Sequence, residues 1–254
     1  MMKVVEKKEN RIGFVIDTNE SLANAIRRSV NEIYILAIDE VEIHKNDSAL
    51  YDEVIAHRMG LIPVKSNRKL DVHEESSDGK KSLKSEIQIS LKAKGPCTVY
   101  AKDMKGDAEP VNGNIPIVIL NKDQELEILS FARLGKGEKH GKFSPGLVYY
   151  RHVSEIKIKN ADKAQEIMEK LKDALIDPLK GKVKNGEMYK CYMDIDYIES
   201  FIQKGQEESF ELKTGEELVF FIESWGQIDN EEIFIEAVKV LDKNLKEVLK
   251  ALKK

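Results

Sequence analysis

Two cysteines in 254 residues, Cys97 and Cys191, stand 94 positions apart, and that scarcity removes several kinds of protein at once. A disulfide framework needs several paired thiols, and cysteine-held zinc or iron–sulfur centres need clustered ones. Long apolar runs are missing too: runs such as Ile117–Leu120 and Leu218–Ile222 fall far short of a membrane span. The opening MMKVVEKKEN becomes charged without the apolar core of a secretory signal, so a cytoplasmic protein with no membrane contact is expected. Nor is one sign of charge in excess. Lys plus Arg number 41 against 45 Asp plus Glu, a formal charge of −4, which argues against a surface that coats nucleic acid throughout and leaves room for a local basic patch.

The parts of an active site are equally thin. His44, His57, His73, His140 and His152 make no HExxH pair and no short spacing with a cysteine, so zinc hydrolysis has no motif behind it. Ser48 and Ser144 lack a nucleophile-elbow context. GKGEKHGKFSPG fails as a P-loop at both ends, because Lys136 stands where the first glycine is required and Phe143 follows Lys142. Asp39, Glu40 and Glu42 make a poor metal site, since neighbouring carboxylates on a strand point to opposite faces.

What is present is a hydrophobic share of 41% beside 34% charged residues, the make-up of a charged protein with a substantial core. The most organised stretch is residues 19 to 64. Leu22, Ile26, Val30 and Ile33 follow one another at four, four and three places and share one side of a helix, a packing face. Asp17, Thr18 and Asn19 offer caps, and Glu20 three places after Asp17 approaches a capping box. Arg27 and Arg28 lie off the apolar line and face either water or an acidic partner. YILAIDEVEI follows as a strand whose alternation breaks, which predicts a bend or bulge near Asp39. Asp47 or Ser48 can cap a short second helix with Leu50, Val54 and Met59 along it, ending at Gly60. On it His57 and Arg58 read first as hydrogen-bonding or interface groups.

Elsewhere the pattern is mainly β. Residues 2 to 8 and 11 to 17 predict two strands around a turn at Glu9 and Asn10, with Ile12, Phe14 and Ile16 on one face. Residues 66 to 85 are polar and predict a mobile loop. Strand-like segments return at 86–93, 97–104, PVNGNIPIVIL and 125–134, so a mainly β subdomain covers roughly 41–159. The GKGEKHGKFSPG loop inside it reads equally as a macromolecular contact or a plain surface loop. A helix is predicted over 161–176 through Ala164, Ile167, Met168, Leu171 and Leu175, stopped by Asp177, Pro178 and Gly181. MYKCYMDIDYIESF fits either a strand or a short helix. SFELKTGEELVFFIESWG predicts a hairpin turning at Lys213 to Glu216. Last, Asp229 with Glu232 predicts a cap for a helix of about 20 residues, along which Ile233, Ala237, Leu241, Leu245, Val248 and Leu252 recur at three or four places. That stripe needs a cover, from the N-terminal helix and from a partner.

NESLANAIRRSVNE, AIDEVEIHKNDSALYDEVIAHRMGLIPV and FARLGKGEKHGKFSPGLVYY occur in this order, with FIESWG and the last helix behind them. In that combination the chain resembles the D-subunit (Rpo3) family of archaeal RNA polymerases, and more broadly the eukaryotic Rpb3 and AC40 subunits and the bacterial alpha N-terminal domain. The resemblance covers essentially the whole chain and is strongest over 19–64 and 131–151.

It implies an α+β fold: a split, alpha/D-like dimerisation domain from residues 1–40 and 207–254, interrupted by a mainly β insert domain at 41–159 and a reduced third subdomain at 160–206. It also implies a non-catalytic assembly subunit. The dimerisation face, Leu22, Ile26, Val30, Ile33, Ile233, Ala237, Leu241, Leu245 and Val248, would pair with subunit L (Rpo11). The heterodimer would then carry the small subunits N (Rpo10) and P (Rpo12) and the two large catalytic subunits, with DNA and RNA met mainly through the assembled enzyme. Docking to the large subunits would fall to Arg27, Arg28, Asp52, Glu53, His57 and Arg58, and to the loop residues Arg133, Lys136, Lys139, His140 and Lys142. In one respect the chain departs from many family members, which hold iron–sulfur clusters in a ferredoxin-like domain. Residues 160–206 contain only Cys191, so no cluster and no other cofactor is expected. A single-chain nucleic-acid-binding module and an enzyme with a dispersed active site are the competing readings.

Overall fold

The computed structural model describes residues 2–66, 86–171, 176–177, 183–193, 195–202 and 207–253. The loop expected over 66–85 therefore lies, from 67 on, outside the described residues, as do Leu175, Pro178 and Gly181. The chain forms two compact units, Met1–Arg27 with Val148–Glu223, and Arg28–Leu147 with Ser224–Lys254. Helices and strands mix in both, and the fold is α+β.

The chain begins with the hairpin that Glu9 and Asn10 predict, β1 (Lys3–Lys8) against β2 (Arg11–Ile16). Helix α1 (Glu20–Ser29) is capped by Asn19, whose Oδ1 accepts the Leu22 N–H at 2.9 Å. The capping box expected of Asp17 and Glu20 does not form, because the Glu20 carboxylate is taken up by His152 Nε2 at 2.6 Å. A 3-10 turn (Val30–Glu32) follows α1. Ile26, Val30 and Ile33 are buried, and Leu22 at the start of the line is exposed.

The second unit is built on strand pairing around its longest segments. β3 (Ile35–Asn46) leads to α2 (Asp52–Gly60), then β4 (Val64–Lys65), β5 (Glu86–Lys94), β6 (Cys97–Tyr100), β7 (Lys105–Gly106), β8 (Glu109–Pro110), β9 (Pro116–Leu120) and β10 (Glu125–Gly135). The main sheet has the order β3-β10-β5-β7, and two small pairs, β4-β8 and β6-β9, flank it. Along β10 the residues Leu126, Ile128, Ser130 and Ala132 are buried in strict alternation. Leu126, Ile128 and Ala132 join Ile87, Ile89 and Leu91 of β5, Ile55 and Met59 of α2, and Val99, Ile117 and Leu120 in one core. The predicted break in β3 is present: Phe131 pairs with Glu40 and Ala132 with Ile38, so Asp39 is the extra residue of a β-bulge.

Three local expectations here need correcting. α2 is not capped by Asp47 or Ser48. Asn46 instead gathers this turn, its Oδ1 accepting from Ser48 N–H at 3.1 Å and its Nδ2 donating to Leu50 O at 2.8 Å, and the helix starts after extended Tyr51. The inward line of α2 is Ile55 and Met59, while Val54 is exposed. Strand β6 stops at Tyr100, short of 104, because Asp103 Oδ2 accepts the Tyr100 N–H at 2.8 Å and bends the chain into a 3-10 turn.

In the first unit β11 (Gly146–Ile158) is followed by α3 (Ala161–Lys170), β12 (Ile176–Asp177), β13 (Met188–Cys191), α4 (Ile195–Glu199) and β14 (Phe210–Ser224). Their sheet, with β1 and β2, has the order β1-β2-β14-β11-β13-β12. β2 is thus covered by a strand on each edge and buried on both faces, which is why its alternation is only partial. Helix α3 ends before 176, since Ile176 is extended and pairs with Cys191. Asn160 caps its start and Ala164, Ile167, Met168 and Leu171 face inward as their spacing predicts. MYKCYMDIDYIESF supplies both alternatives, a strand and then a short helix.

The predicted hairpin at Lys213–Glu216 is absent: Phe210–Ser224 is one strand. These residues run alongside β11, where His152 Nδ1 lies 3.0 Å from Gly215 O and a Cβ on Gly215 would come within 2.8 Å of Val153 O. The long neighbour satisfies the backbone that a turn would have reversed.

The chain closes with α5 (Asn230–Leu252) in the second unit, 23 residues long. Asp229 occupies the cap position without a side-chain bond, and only its backbone oxygen accepts, from Ile233 N–H at 3.0 Å. Asn230 ties the start to the preceding turn by accepting the Ser224 N–H at 3.0 Å. The helix packs on the 3-10 turn after α1, with Asn244 Nδ2 donating to Glu32 Oε2 at 2.8 Å.

Candidate interaction surfaces

Helix α5 changes character along its length. Ile233 and Ala237 are buried and Leu241 is half-buried, but Leu245 is 55%, Val248 57% and Leu252 78% exposed, with Leu249 beside them. Burying each such side chain is worth about 1.5–3 kcal/mol, so together they are a sizeable unspent driving force for association. The charges flanking the stripe are paired along the helix: Lys239 with Glu236 at 2.6 Å, Lys243 with Glu247 at 3.9 Å, and Lys246 with Asp242. Of the residues assigned to a dimerisation face by resemblance, Ile26, Val30, Ile33, Ile233 and Ala237 are already inside this chain. Leu22, Leu241, Leu245 and Val248 are the ones with surface to offer.

A second surface surrounds the loop from β10 to β11. Phe143 is buried with its ring over Gly135, where a Cβ would lie 2.6 Å from the ring, so glycine is needed for this close approach. The loop is folded locally by Lys139 N–H to Lys136 O at 3.0 Å and Phe143 N–H to His140 O at 3.0 Å. Arg133 and Lys142 are turned inward, each side chain only 14% exposed. Arg133 donates to Glu40 at 2.7 Å and Glu86 at 3.0 Å, and Lys142 donates to Asp39 Oδ1 at 2.7 Å and to Ile38 O at 3.1 Å. Burial pushes the Asp39 carboxyl up, yet the Lys142 hydrogen bond and the nearby charges of Lys142, Lys139 and Arg133 hold it below its ordinary value. Burial likewise opposes the Arg133 charge, and its bonds to Glu40 and Glu86 prevail and raise its value. These two cations position the loop, whereas Lys139 and His140 are exposed and Lys136 is half-exposed.

Two cavities adjoin this loop. One, of about 480 Å³, is lined by Tyr34, Arg133, Lys136, Glu138, Lys139 and Phe143 among others. The other, of about 430 Å³, lies along α5 and shares Tyr34 and Lys136 with the first. Lys136 Nζ stands 5.2 Å from the centre of the Tyr34 ring.

A third surface is the outer side of α2, where Asp52, Glu53, His57 and Arg58 are exposed. Arg58 donates to Pro116 O at 2.6 Å, which fixes the helix to β9, and Asp52 accepts from Asn46 at 2.7 Å. Val54 on the helix and Tyr51 and Leu61 at its two caps are exposed, apolar residues that sequence reasoning did not assign to an interface. Their spacing with Arg58, at three, four and three places, was the available signal. In the first unit, Arg27 is held by Asn24 Oδ1 at 2.8 Å; in the second, Arg28 is exposed.

Among the described residues no three His, Cys, Asp or Glu side chains come together as a metal site. Among the described residues no helix is long and apolar enough to cross a membrane.

Comparison with known proteins gives a consistent result. Residues 41–146 match the RNA polymerase Rpb3/RpoA insert domain. Over its whole length the chain is 33% identical to the DNA-directed RNA polymerase subunit Rpo3 of Pyrococcus furiosus, covering 97% of that protein. It is 35% identical to Rpo3 of Thermococcus kodakarensis over 94% of this chain and 92% of the relative. With Rpo3 of Methanocaldococcus jannaschii it shares 30% identity over 99% of this chain and 97% of the relative.

Proposed function

The chain belongs to the Rpo3 family of DNA-directed RNA polymerase subunits, and from that premise we propose that it is a non-catalytic assembly subunit of the polymerase, pairing with an L-type (Rpo11) subunit. The observation that carries the reading is the α5 stripe: Leu245, Val248 and Leu252 are more than half exposed on a helix where Lys239, Lys243 and Lys246 are paired with Glu236, Glu247 and Asp242. In the second unit Leu241, Leu245 and Val248 are its contact residues, with Val30, Ile33, Ile233 and Ala237 buried in that unit; in the first unit Leu22 is the exposed contact residue and Ile26 is buried. A split dimerisation fold from residues 1–40 and 207–254 is supported by two pairings across the sequence. β14 pairs with β2 from Leu218↔Ile16 to Glu223↔Arg11, and α5 packs on the turn at Val30–Glu32.

The heterodimer is then the platform for the N (Rpo10) and P (Rpo12) subunits and the two large subunits. The α2 surface of Asp52, Glu53, His57 and Arg58 and the loop residues Lys136, Lys139 and His140 take the large subunits, as do Arg27 and Arg28. Arg133 and Lys142 serve the same docking by holding the loop in place. The protein works in the cytoplasm, and nucleic acid is met through the assembled enzyme.

No iron–sulfur cluster belongs to this subunit. Four thiolates cannot be drawn from two cysteines, and Cys191 is buried among Ile156, Ile167 and Tyr189 in an apolar core. Coexpression with the L-type subunit of the same organism tests the main proposal. A stable one-to-one complex by mass is expected, and two folded chains that stay apart would end it.

A further inference from the structure

We infer that the paired cavities beside the β10–β11 loop receive a carboxylate-bearing segment of a partner polypeptide, met by Lys136 and Lys139. The inference rests on the assembly reading and names what kind of segment docks there.

The argument starts from which cations remain available. Arg133 and Lys142 are consumed by Glu40, Glu86 and Asp39. Lys136 and Lys139 have no ion-pair partner among the described residues, although both line the cavity of about 480 Å³. Lys136 is held over the ring of Tyr34, itself 43% exposed, so its ammonium is placed without being neutralised. Glu138 on the same rim still leaves the balance positive.

The adjoining cavity decides between a polypeptide and a nucleic acid. Beyond the shared wall of Tyr34 and Lys136 its lining carries Glu32, Glu232 and Glu236 against Lys239 and Lys243, of which Lys239 is paired with Glu236 and Lys243 with Glu247. Glu32 accepts from Asn244 and Glu236 from Lys239, while Glu232 has no ion-pair partner among the described residues. A phosphate backbone repeats its negative charge at every step and would meet no unpaired cation along this second half, where both lysines are already paired and Glu232 is not. A peptide segment can bring carboxylates to the lysines and an amide or a cation to Glu232. The two volumes, about 480 and 430 Å³, are each of a size that holds several side-chain groups.

The test uses the assembled polymerase containing this chain. Carbodiimide coupling joins a lysine amine directly to a carboxylate as an amide, the carbodiimide taking up the water released. Mass spectrometry should find Lys136 or Lys139 joined to an Asp or Glu of another polypeptide. In parallel, the Lys136→Glu, Lys139→Glu double variant should pair with the L-type subunit as the wild type does. Its heterodimer should associate with the large subunits roughly tenfold more weakly or worse, with a shallower salt dependence, and the Lys→Arg double variant should recover.

Both lysines remaining uncoupled in the assembled enzyme would overturn the inference, and so would wild-type association of the double variant; the assembly reading survives either result. Loss of single-stranded DNA binding with subunit association intact would assign the cavities to nucleic acid instead. If the wild-type chain itself joins no polymerase subunits, the assembly reading fails and this inference with it.

Discussion

Lys142 Nζ lies 2.7 Å from Asp39 Oδ1, and Asp39 is the residue that the β3 bulge leaves without a partner on β10. The irregularity in the strand thus supplies the anchor for the loop that follows the neighbouring strand. Replacing Lys142 with Met should lower stability by about 1–2 kcal/mol, between the value of an exposed pair and that of a charge-assisted bond, read from the midpoint of denaturant unfolding. The pH dependence has a definite sign. The Asp39 value in the folded chain is below 3.8, so its contribution is present above the ordinary carboxylate range and is lost as pH falls through the folded value. Asp39→Asn should therefore flatten the acid limb of a stability–pH curve and leave its neutral-to-basic part parallel to the wild type.

Acid titration should also single out Glu125. Lys45 at 2.7 Å and Lys94 at 2.9 Å hold its carboxyl down at about 2, so it should stay ionised at a pH where ordinary glutamates, near 4.5, have taken up protons. Carboxyl-carbon NMR chemical shifts followed from pH 6 to 2, a range set by the usual carboxylate values, would show it as a late titrator. A midpoint near 4.5 would mean that the lysines are not held against it in solution.

Gly135→Ala should disturb the loop from beneath. A methyl group there meets the Phe143 ring at 2.6 Å, and the buried ring has to move. Overpacking of this kind costs about 1–3 kcal/mol, and large-subunit association should fall in the same variant although no lysine has been changed. Unfolding midpoints and binding isotherms read the two effects separately.

The two ends of the α5 stripe should respond in opposite ways. Leu245→Asp and Val248→Asp replace exposed residues and should leave the stability of the chain alone within about 0.5 kcal/mol while abolishing pairing with the L-type subunit. Ala237→Asp at the buried end, and separately Ile26→Asp on α1, place a charge in buried surroundings and should cost several kcal/mol, order of magnitude, before any partner is added. Sedimentation of the mixed chains alongside thermal unfolding of the single chain distinguishes the classes. If Leu245→Asp paired with wild-type affinity, the assignment of this face would be wrong.

Protein prepared under strictly anaerobic conditions should contain no stoichiometric iron by elemental analysis, and should lack the broad visible absorption of sulfide-bridged clusters. One cluster per chain would show that ligands other than the two cysteines hold it.

How far the sequence was legible differed with the range of the determining contact. The hairpin at Glu9 and Asn10, the bulge at Asp39, the strand at β10, the inward face of α3 and the long last helix depend on periodicity and turn chemistry, and all were readable. Lys213–Glu216 was misread because a Thr-Gly pair has the chemistry of a turn, and only the remote β11 strand tells it to continue. Caps failed for a similar reason: Glu20 was drawn off by His152, 132 positions away. Within the candidate surfaces, the basic residues of the loop were visible as a set. Their division into inward clamps and outward contacts was not, since Glu40, Glu86 and Asp39 reach Arg133 and Lys142 only through sheet pairing.

β10 is paired with β3 on one edge and with β5 on the other from Glu125 to Arg133. Amides so enclosed are among the last to exchange with deuterium, because they open only in near-global unfolding. The loop that leaves Gly135 is therefore mounted on slow-exchanging ground, and docking has only a handful of residues to immobilise. A time course of deuterium uptake should show an abrupt boundary there, with protection up to about Leu134 and faster exchange at Gly137, His140 and Gly141 than at the bonded amides of Glu138 and Lys139.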